Sequence, residues 1–321
     1  MDNIWGSSLQ YNQIVWPWPI AVYLFLAGLS AGSLMISLLV KWVEGNDTPP
    51  WDGLIKAGSL IAPVTIVVGL FLLIIDLGKP LAFWRLLVNY QLSSVMSIGV
   101  VLLFIYSPLA FLFPLIIFKQ HLSQAYWSRA WFSHIKPVIE GFERTGMWGE
   151  ALIAIFGVSI ATYTGFLLSA LIGKPLLNQP ILPLLFLVSS LSAGVAANIL
   201  LGLTLFEHAV EQKNLKYLLA LDLRVIPLEM FLLLLMFIGL HFQGGSFAQA
   251  GAEALTTGAW AGVFWVGVIG IGLLLPVIIA ITALHGHKYQ LGTVLLNSTL
   301  VLAGVVVLRV YLLYAGQIFT G

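Results

Sequence analysis

The chain has 321 residues, 60% of them hydrophobic and only 8% charged, with a net charge of +1 and no cysteine. Soluble domains run at roughly 45–50% apolar and about 25% charged, so a soluble protein is excluded, and the near-zero net charge offers no surface for nucleic acid. Without cysteine there are no disulfides, thiolate metal sites or cysteine-held iron–sulfur clusters.

What remains is an all-α polytopic membrane protein. A bilayer core about 30 Å thick takes roughly 20 apolar residues per helix. The chain supplies eight such runs, at 17–41, 54–76, 93–118, 148–172, 181–206, 223–241, 259–283 and 291–318. The first opens on Trp16-Pro17-Trp18-Pro19 and carries Tyr23, Gly28 and Gly32, a Gly-x-x-x-Gly pair that suits close helix packing. The second closes on Asp76-Leu77-Gly78-Lys79-Pro80, and the fourth carries Thr162-Tyr163-Thr164-Gly165. The eighth holds Arg309 in mid-run. Trp16, Trp18, Trp42, Trp51, Trp84, Trp148 and Trp260 sit at or near run ends, where an interfacial aromatic belt belongs.

An even number of spans places both termini on one side. Loops on that side carry Lys79, Arg85 and Lys174, whereas the opposite loops carry ten Lys or Arg residues. The positive-inside bias therefore predicts outward termini, which in a bacterial inner membrane means the periplasm. The first sixteen residues lack Lys and Arg and do not read as a cleaved signal peptide.

The first and fifth runs share a segment. Leu24–Gly32 ends in Leu-Ser-Ala-Gly, and so does Phe186–Gly194. Tyr314-Ala315-Gly316 in the last run echoes Tyr163-Thr164-Gly165 in the fourth. Four spans separate the copies, so they run in the same direction, as a parallel repeat. The expected organisation is two four-helix bundles. Residues 1–147 supply three spans and the long cytoplasmic loop, 148–172 the fourth span completing the first bundle, and 173–321 the second bundle.

All six histidines (His121, His134, His208, His241, His285 and His287) fall in loops or at run ends, so the paired axial ligands of a membrane haem are missing. Phosphate loops and zinc-protease or serine-nucleophile motifs are absent as well, and no metal site is expected. The chain thus has no redox centre of its own.

Ionisable groups at membrane depth cost about 2.5–3.5 kcal/mol each on insertion scales, so each needs a reason. Arg309 reads either as a structural charge held by a carboxylate or helix carbonyls, or as a charge tuning a proton-accepting group. Asp76 is either an interfacial carboxylate answering Lys79 or Arg85, or a proton acceptor near the outer surface. Tyr163, flanked by threonines, and Tyr23 carry hydroxyls that need partners, and with Asp76 they fall in the same outer third of the membrane. Glu150, Glu207, Asp222 and Glu229 are placed towards the inner side, as a proton network or as solvated helix ends.

Several of these segments together resemble the NrfD/PsrC family. They are Trp16–Gly32, Asp76–Pro80 (against a family Asp-Leu-Gly-Arg-Pro), Ser93–Gly99, Tyr163–Ser169 and Leu313–Gln317. Within that family the polysulfide-reductase type is nearest and the nitrite-reduction type next. The resemblance implies a quinol-oxidising membrane subunit of a respiratory reductase that binds menaquinone or ubiquinone. Haem and iron–sulfur clusters would be absent from this chain. The redox centres would lie in partners: a periplasmic four-cluster ferredoxin-like subunit and a molybdopterin catalytic subunit, or a cytochrome nitrite reductase chain in the nitrite type. It also implies that Tyr163 hydrogen-bonds a quinone carbonyl, with Tyr23 and Thr162 as further quinone contacts and Asp76 as the acceptor of quinol protons. Arg309, Lys79, Glu150 and Glu229 are then charge partners or members of a proton path. Where some members carry an Asn/His pair on the first helix, this chain has Ile20 and Tyr23, and Lys79 replaces the forked arginine by a point charge. Two rivals stand beside this reading: a secondary transporter of a small solute or proton, for which inverted repeats are the commoner plan, and a purely structural anchor.

Overall fold

The computed structural model describes residues 16–45, 51–77, 80–88, 91, 94–124, 129–286 and 290–318, and among them every regular element is helical. Eight helices are long and apolar enough to cross a membrane. They are α1 (Trp18–Glu44), α2 (Gly53–Asp76), α3 (Val95–Ile117), α4 (Met147–Ser169), α5 (Leu182–Leu205), α6 (Gln212–Gln243), α7 and α8 (Leu291–Ile318). The seventh, α7, is wound as a π-helix over Val263–Leu274 and continues as an α-helix over Leu275–Gly286.

Local chemistry sets several ends. Pro19 sits in the first turn of α1, where a missing N–H costs nothing, and Gly45 closes that helix in the left-handed conformation at φ 66°. Asp52 caps α2 through one oxygen, accepting from the Leu54 N–H at 2.6 Å. Its other oxygen accepts from the Glu211 N–H at 2.8 Å and the Asn214 amide at 3.0 Å, tying the start of α6 to the start of α2. The connections contain helical pieces that apolar-run reading does not foresee: Pro80–Leu87, Lys119–Gln124, Arg129–Glu143 and Gly245–Leu255. Span α6 is also longer at both ends than its apolar run at 223–241.

Burial separates the helices into two kinds. In α1 and α5, 78% and 72% of the apolar stretch is buried, against 28% in α3 and α7. The two helices that carry the sequence repeat are therefore the centre of the molecule. The outer helices turn Phe71, Phe104, Ile155, Phe231 and Trp265 outward, as a lipid-facing surface requires.

The copies of the repeat meet each other. A methyl added to Gly32 would overlap the Ser190 carbonyl, and one added to Gly194 would overlap the Gly32 backbone. The crossing is a backbone-to-backbone approach that only glycine permits. Pairings recur in each half: the first helix packs on the second and fourth, and the third on the fourth. The halves share more than the crossing, because α5 also packs on α2 and α4, and α8 packs on α1. Gly272 and Gly304 make a second glycine contact between α7 and α8.

Candidate functional site

A hydroxyl inside a bilayer must find a partner, and most here turn back on their own helix. Thr65, Ser107, Ser159, Thr204 and Thr299 each donate to the carbonyl four residues earlier. Ser30 instead donates to the Ala62 carbonyl of α2 at 2.7 Å and lies 2.9 Å from the Tyr106 hydroxyl of α3. Because its only proton goes to Ala62, Tyr106 is the donor in the second bond. Those three helices are thereby pinned near their middle.

Against that background, the polar groups left over stand out. The Tyr23 side chain on α1 is 1% exposed, and its hydroxyl has no hydrogen-bond partner. Its ring edge packs on Gly69 of α2, where an added methyl would lie 3.4 Å from Cδ2. The Tyr163 ring of α4 occupies the space above Gly99 of α3, so that a methyl on Gly99 would overlap the ring tip and its hydroxyl. Tyr163 is buried and no hydrogen bond is made by its hydroxyl among the described residues, while Tyr23 and Tyr163 are near enough to interact electrostatically. Each of the first four helices thus contributes one of Tyr23, Gly69, Gly99 and Tyr163. At 1.5 Å per residue, all four lie roughly 6–11 Å from the helix ends on the N-terminal face.

Asp76 is the last residue of α2, half-buried and without an ion pair among the described residues. Seven residues beyond Gly69, it stands on the same face of α2, about 10 Å nearer the surface. A carboxylate at a helix C-terminus opposes the helix dipole, so this residue is not there to stabilise α2. Lys79, expected beside it, lies outside the described residues. Arg85 instead lays its guanidinium against Trp84, at 5.6 Å from the ring centre.

Thr162 is not drawn into the group. Its hydroxyl donates to the Val158 and Ser159 carbonyls of its own helix at 2.8 and 3.1 Å, which leaves no donor for a ligand. Glu150 also stands apart: it pairs with Lys41 and accepts from the Trp42 indole, near the opposite ends of α4 and α1. Asp222 and Glu229, placed by the sequence towards the inner helix ends, are in fact deep in the protein at 5% and 1% exposure, because α6 begins well before its apolar run. Arg309 is 1% exposed and faces α5 rather than the tyrosines. Glu229 and Arg309 therefore belong together and Glu150 does not join them.

Sequence reasoning missed the two glycines beneath the tyrosines. Gly99 closes the Ser93–Gly99 segment, and a small residue opposite a membrane tyrosine was the available signal. Chemically, the arrangement offers two hydroxyls without a hydrogen bond among the described residues, in an apolar setting with a carboxylate on the way to the surface. A ring carrying oxygens at both ends fits that donor set.

The whole chain has relatives. The family described as polysulphide reductase, NrfD, matches residues 6–321. The C subunit of polysulfide reductase from Wolinella succinogenes is 50% identical over 321 residues, covering 100% of both proteins. The protein NrfD homolog of Haemophilus influenzae is 36% identical, covering 95% of each protein. Protein NrfD of Escherichia coli is 33% identical, covering 97% of this chain and 98% of its own. With eight membrane spans and a family match along almost its entire length, the chain belongs to the polysulphide reductase NrfD family.

Proposed function

We propose that this protein is the membrane subunit of a bacterial respiratory reductase and that it oxidises quinol at the Tyr23–Tyr163 site. The observation that carries the reading is the convergence of two buried tyrosines near one membrane face, Tyr23 with its hydroxyl unpartnered and Tyr163 with no hydroxyl bond among the described residues, in a chain without cysteine. Identity to a polysulfide reductase C subunit along the full length supports it over a solute transporter.

Bound quinol supplies two electrons and two protons. The protein's part is to bind, orient and deprotonate. Tyr163, braced on Gly99, holds one ring oxygen, and Tyr23, braced on Gly69, is placed for a second contact. Asp76 accepts the departing protons and passes them to the surface, a general-base role. Phe71, Met96 and Phe166 are exposed on α2, α3 and α4, apolar surface of the kind a lipid-dissolved quinol meets first. The electrons leave to an iron–sulfur partner docked on the N-terminal face; the excess of Lys and Arg in the opposite loops supports a periplasmic position for that face. A molybdopterin subunit of the polysulfide-reducing kind is the expected terminal partner, and the inner membrane the location.

Replacement of Tyr163 by Phe in the assembled complex tests this. A hydrogen bond is worth about 1 kcal/mol or somewhat more, so kcat/KM for quinol should fall by about tenfold with the complex intact. Unchanged turnover and quinol affinity would remove Tyr163 from the site.

A further inference from the structure

The Trp16–Pro19 and Leu313–Gln317 segments contribute no side chain to the tyrosine site, yet they meet each other on the N-terminal face. Helix α1 starts with few donors of its own, because Pro17 and Pro19 lack an N–H and the Ile20 N–H turns back to the Pro17 carbonyl at 3.1 Å. What holds this end comes from α8, at the other end of the chain. The Gln317 side-chain oxygen Oε1 accepts from the Trp16 N–H at 2.6 Å, and Nε2 donates to the Trp16 carbonyl at 3.0 Å. The second Nε2 proton goes to the Leu313 carbonyl of Gln317's own helix, also at 3.0 Å, which fixes the amide plane. A carboxamide carries donor and acceptor side by side, so it pairs with both backbone groups of one residue as a neighbouring strand would. Gln317 is 1% exposed, its main-chain carbonyl accepts from Lys174, and the Tyr314 hydroxyl one turn earlier takes a hydrogen bond from the Trp18 backbone.

The matching seam between the halves is made differently. Aligning Tyr163-Thr164-Gly165 with Tyr314-Ala315-Gly316 puts Phe166, an exposed side chain, where α8 has Gln317. There Gly165 lies directly against Pro183 in the first turn of α5, and an added methyl would overlap the Pro183 backbone. Backbone contact closes the seam between α4 and α5, whereas a side-chain amide ties α8 to α1.

Two close contacts of α1 bracket Tyr23. The Gly32 crossing lies nine residues further on and Trp16 seven residues before it, about 14 Å and about 10 Å away along the helix. With the crossing as a pivot, the grip on Trp16 sets the tilt of the outer part of α1, and with it the packing of the Tyr23 ring on Gly69.

We propose that Gln317 is a positioning residue, holding the start of α1 so that the Tyr23 hydroxyl keeps its place in the tyrosine site. The kinetic consequence rests on quinol binding at that site; the effect on the position of Tyr23 does not.

The test uses the assembled complex in membranes, with 3-fluorotyrosine at position 23 and its fluorine signal read by solid-state NMR without quinol. Gln317→Met keeps the length of the side chain and loses the three hydrogen bonds of the amide. It should shift or split a Tyr23 fluorine line that is single in the wild type. In the complex with unlabelled Tyr23 it should raise KM for quinol about three- to tenfold, with kcat within about twofold. In a Tyr23→Phe background the hydroxyl to be placed is gone, and the same change should alter KM by less than about twofold, the coupling that a double-mutant cycle detects. A fluorine line that Gln317→Met leaves unmoved, or an equal KM effect in both backgrounds, overturns the proposal. A moved line with KM unaffected upholds the positioning role and removes quinol from Tyr23 instead. Hydrogen exchange in the wild-type complex decides independently of any variant's assembly. A Trp16 amide slowed by about a hundredfold or more upholds the grip on α1, and one exchanging like an open peptide overturns it.

Discussion

Ser30 and Ser192 occupy the same place in the two copies of the Leu-Ser-Ala-Gly segment, and each reaches the second helix of its own half. In α1, Ser30 meets the Ala62 carbonyl and the Tyr106 hydroxyl, and all three groups are neutral. In α5, Ser192 meets the carboxylate of Asp222. The difference extends along the repeat. Where α5 has Ser189 and Ser190 to receive Arg309, α1 has Ala27 and Gly28. Aligning Tyr163-Thr164-Gly165 with Tyr314-Ala315-Gly316 puts Val158 where α8 has Arg309. One helix plan has thus been furnished twice: the first half with two buried tyrosines, the second with a buried arginine and two buried carboxyl side chains. Two halves with the same helix pairings can differ in this way because membrane helices pack through small residues, while the few polar positions inside are free to vary.

Substitutions that break this comparison should differ greatly in size. The largest effect is expected where the halves meet: Gly32→Val pushes a branched side chain into the Ser190 backbone, and no assembled complex should accumulate on membranes, as read by immunoblot and by purification. Next comes Gly99→Ala. Its methyl must displace the Tyr163 ring, and a misplacement of about 1 Å costs on the order of a hundredfold in rate, so kcat/KM for quinol should drop by about that much in a complex that still assembles.

Two tyrosines then sharpen the contrast between a ligand group and a structural one. Tyr23→Phe removes a buried hydroxyl that the fold leaves unsatisfied, so thermal stability should hold or rise slightly while quinol affinity falls about three- to tenfold. Tyr106→Phe removes a satisfied bond to Ser30, so stability should fall by about 1 kcal/mol while quinol kinetics stay within about twofold. The smallest effect belongs to Thr162→Ala. Its hydroxyl serves only its own helix, and quinol turnover should remain within about twofold of wild type, as kinetic titration with a soluble quinol analogue would show.

Much of this architecture is legible in the amino-acid sequence. Apolar run length locates all eight spans, because lipid imposes one length on every crossing helix. The Leu-Ser-Ala-Gly copies mark the pair of central helices, though not that they cross at Gly32 and Gly194. Tyr23 and Tyr163 can be placed at a common depth from helix direction alone. What lies beyond reach is azimuth. Depth follows from counting residues, whereas the face that a side chain presents depends on which helices pack around it. Thr162 therefore groups with Tyr163 in the sequence although its hydroxyl bonds within α4. Glu150 groups with Glu229 although it pairs with Lys41 at the far side. Asp222 and Glu229 read as near a helix end because α6 extends beyond its apolar stretch, through a polar first turn that hydropathy does not register as membrane helix.

Tyr163 is the group on which the proposed quinol pocket depends most. Single-turnover reduction of the partner's iron–sulfur clusters by quinol, followed anaerobically in the assembled complex, reads its role without the terminal substrate. Wild-type complex should show rapid cluster reduction, and Tyr163→Phe should slow it about tenfold at limiting quinol while chemical reductants still reduce the clusters fully. Equal rates in the two complexes across the quinol titration would contradict the assignment of the tyrosine pocket as the place where quinol is held.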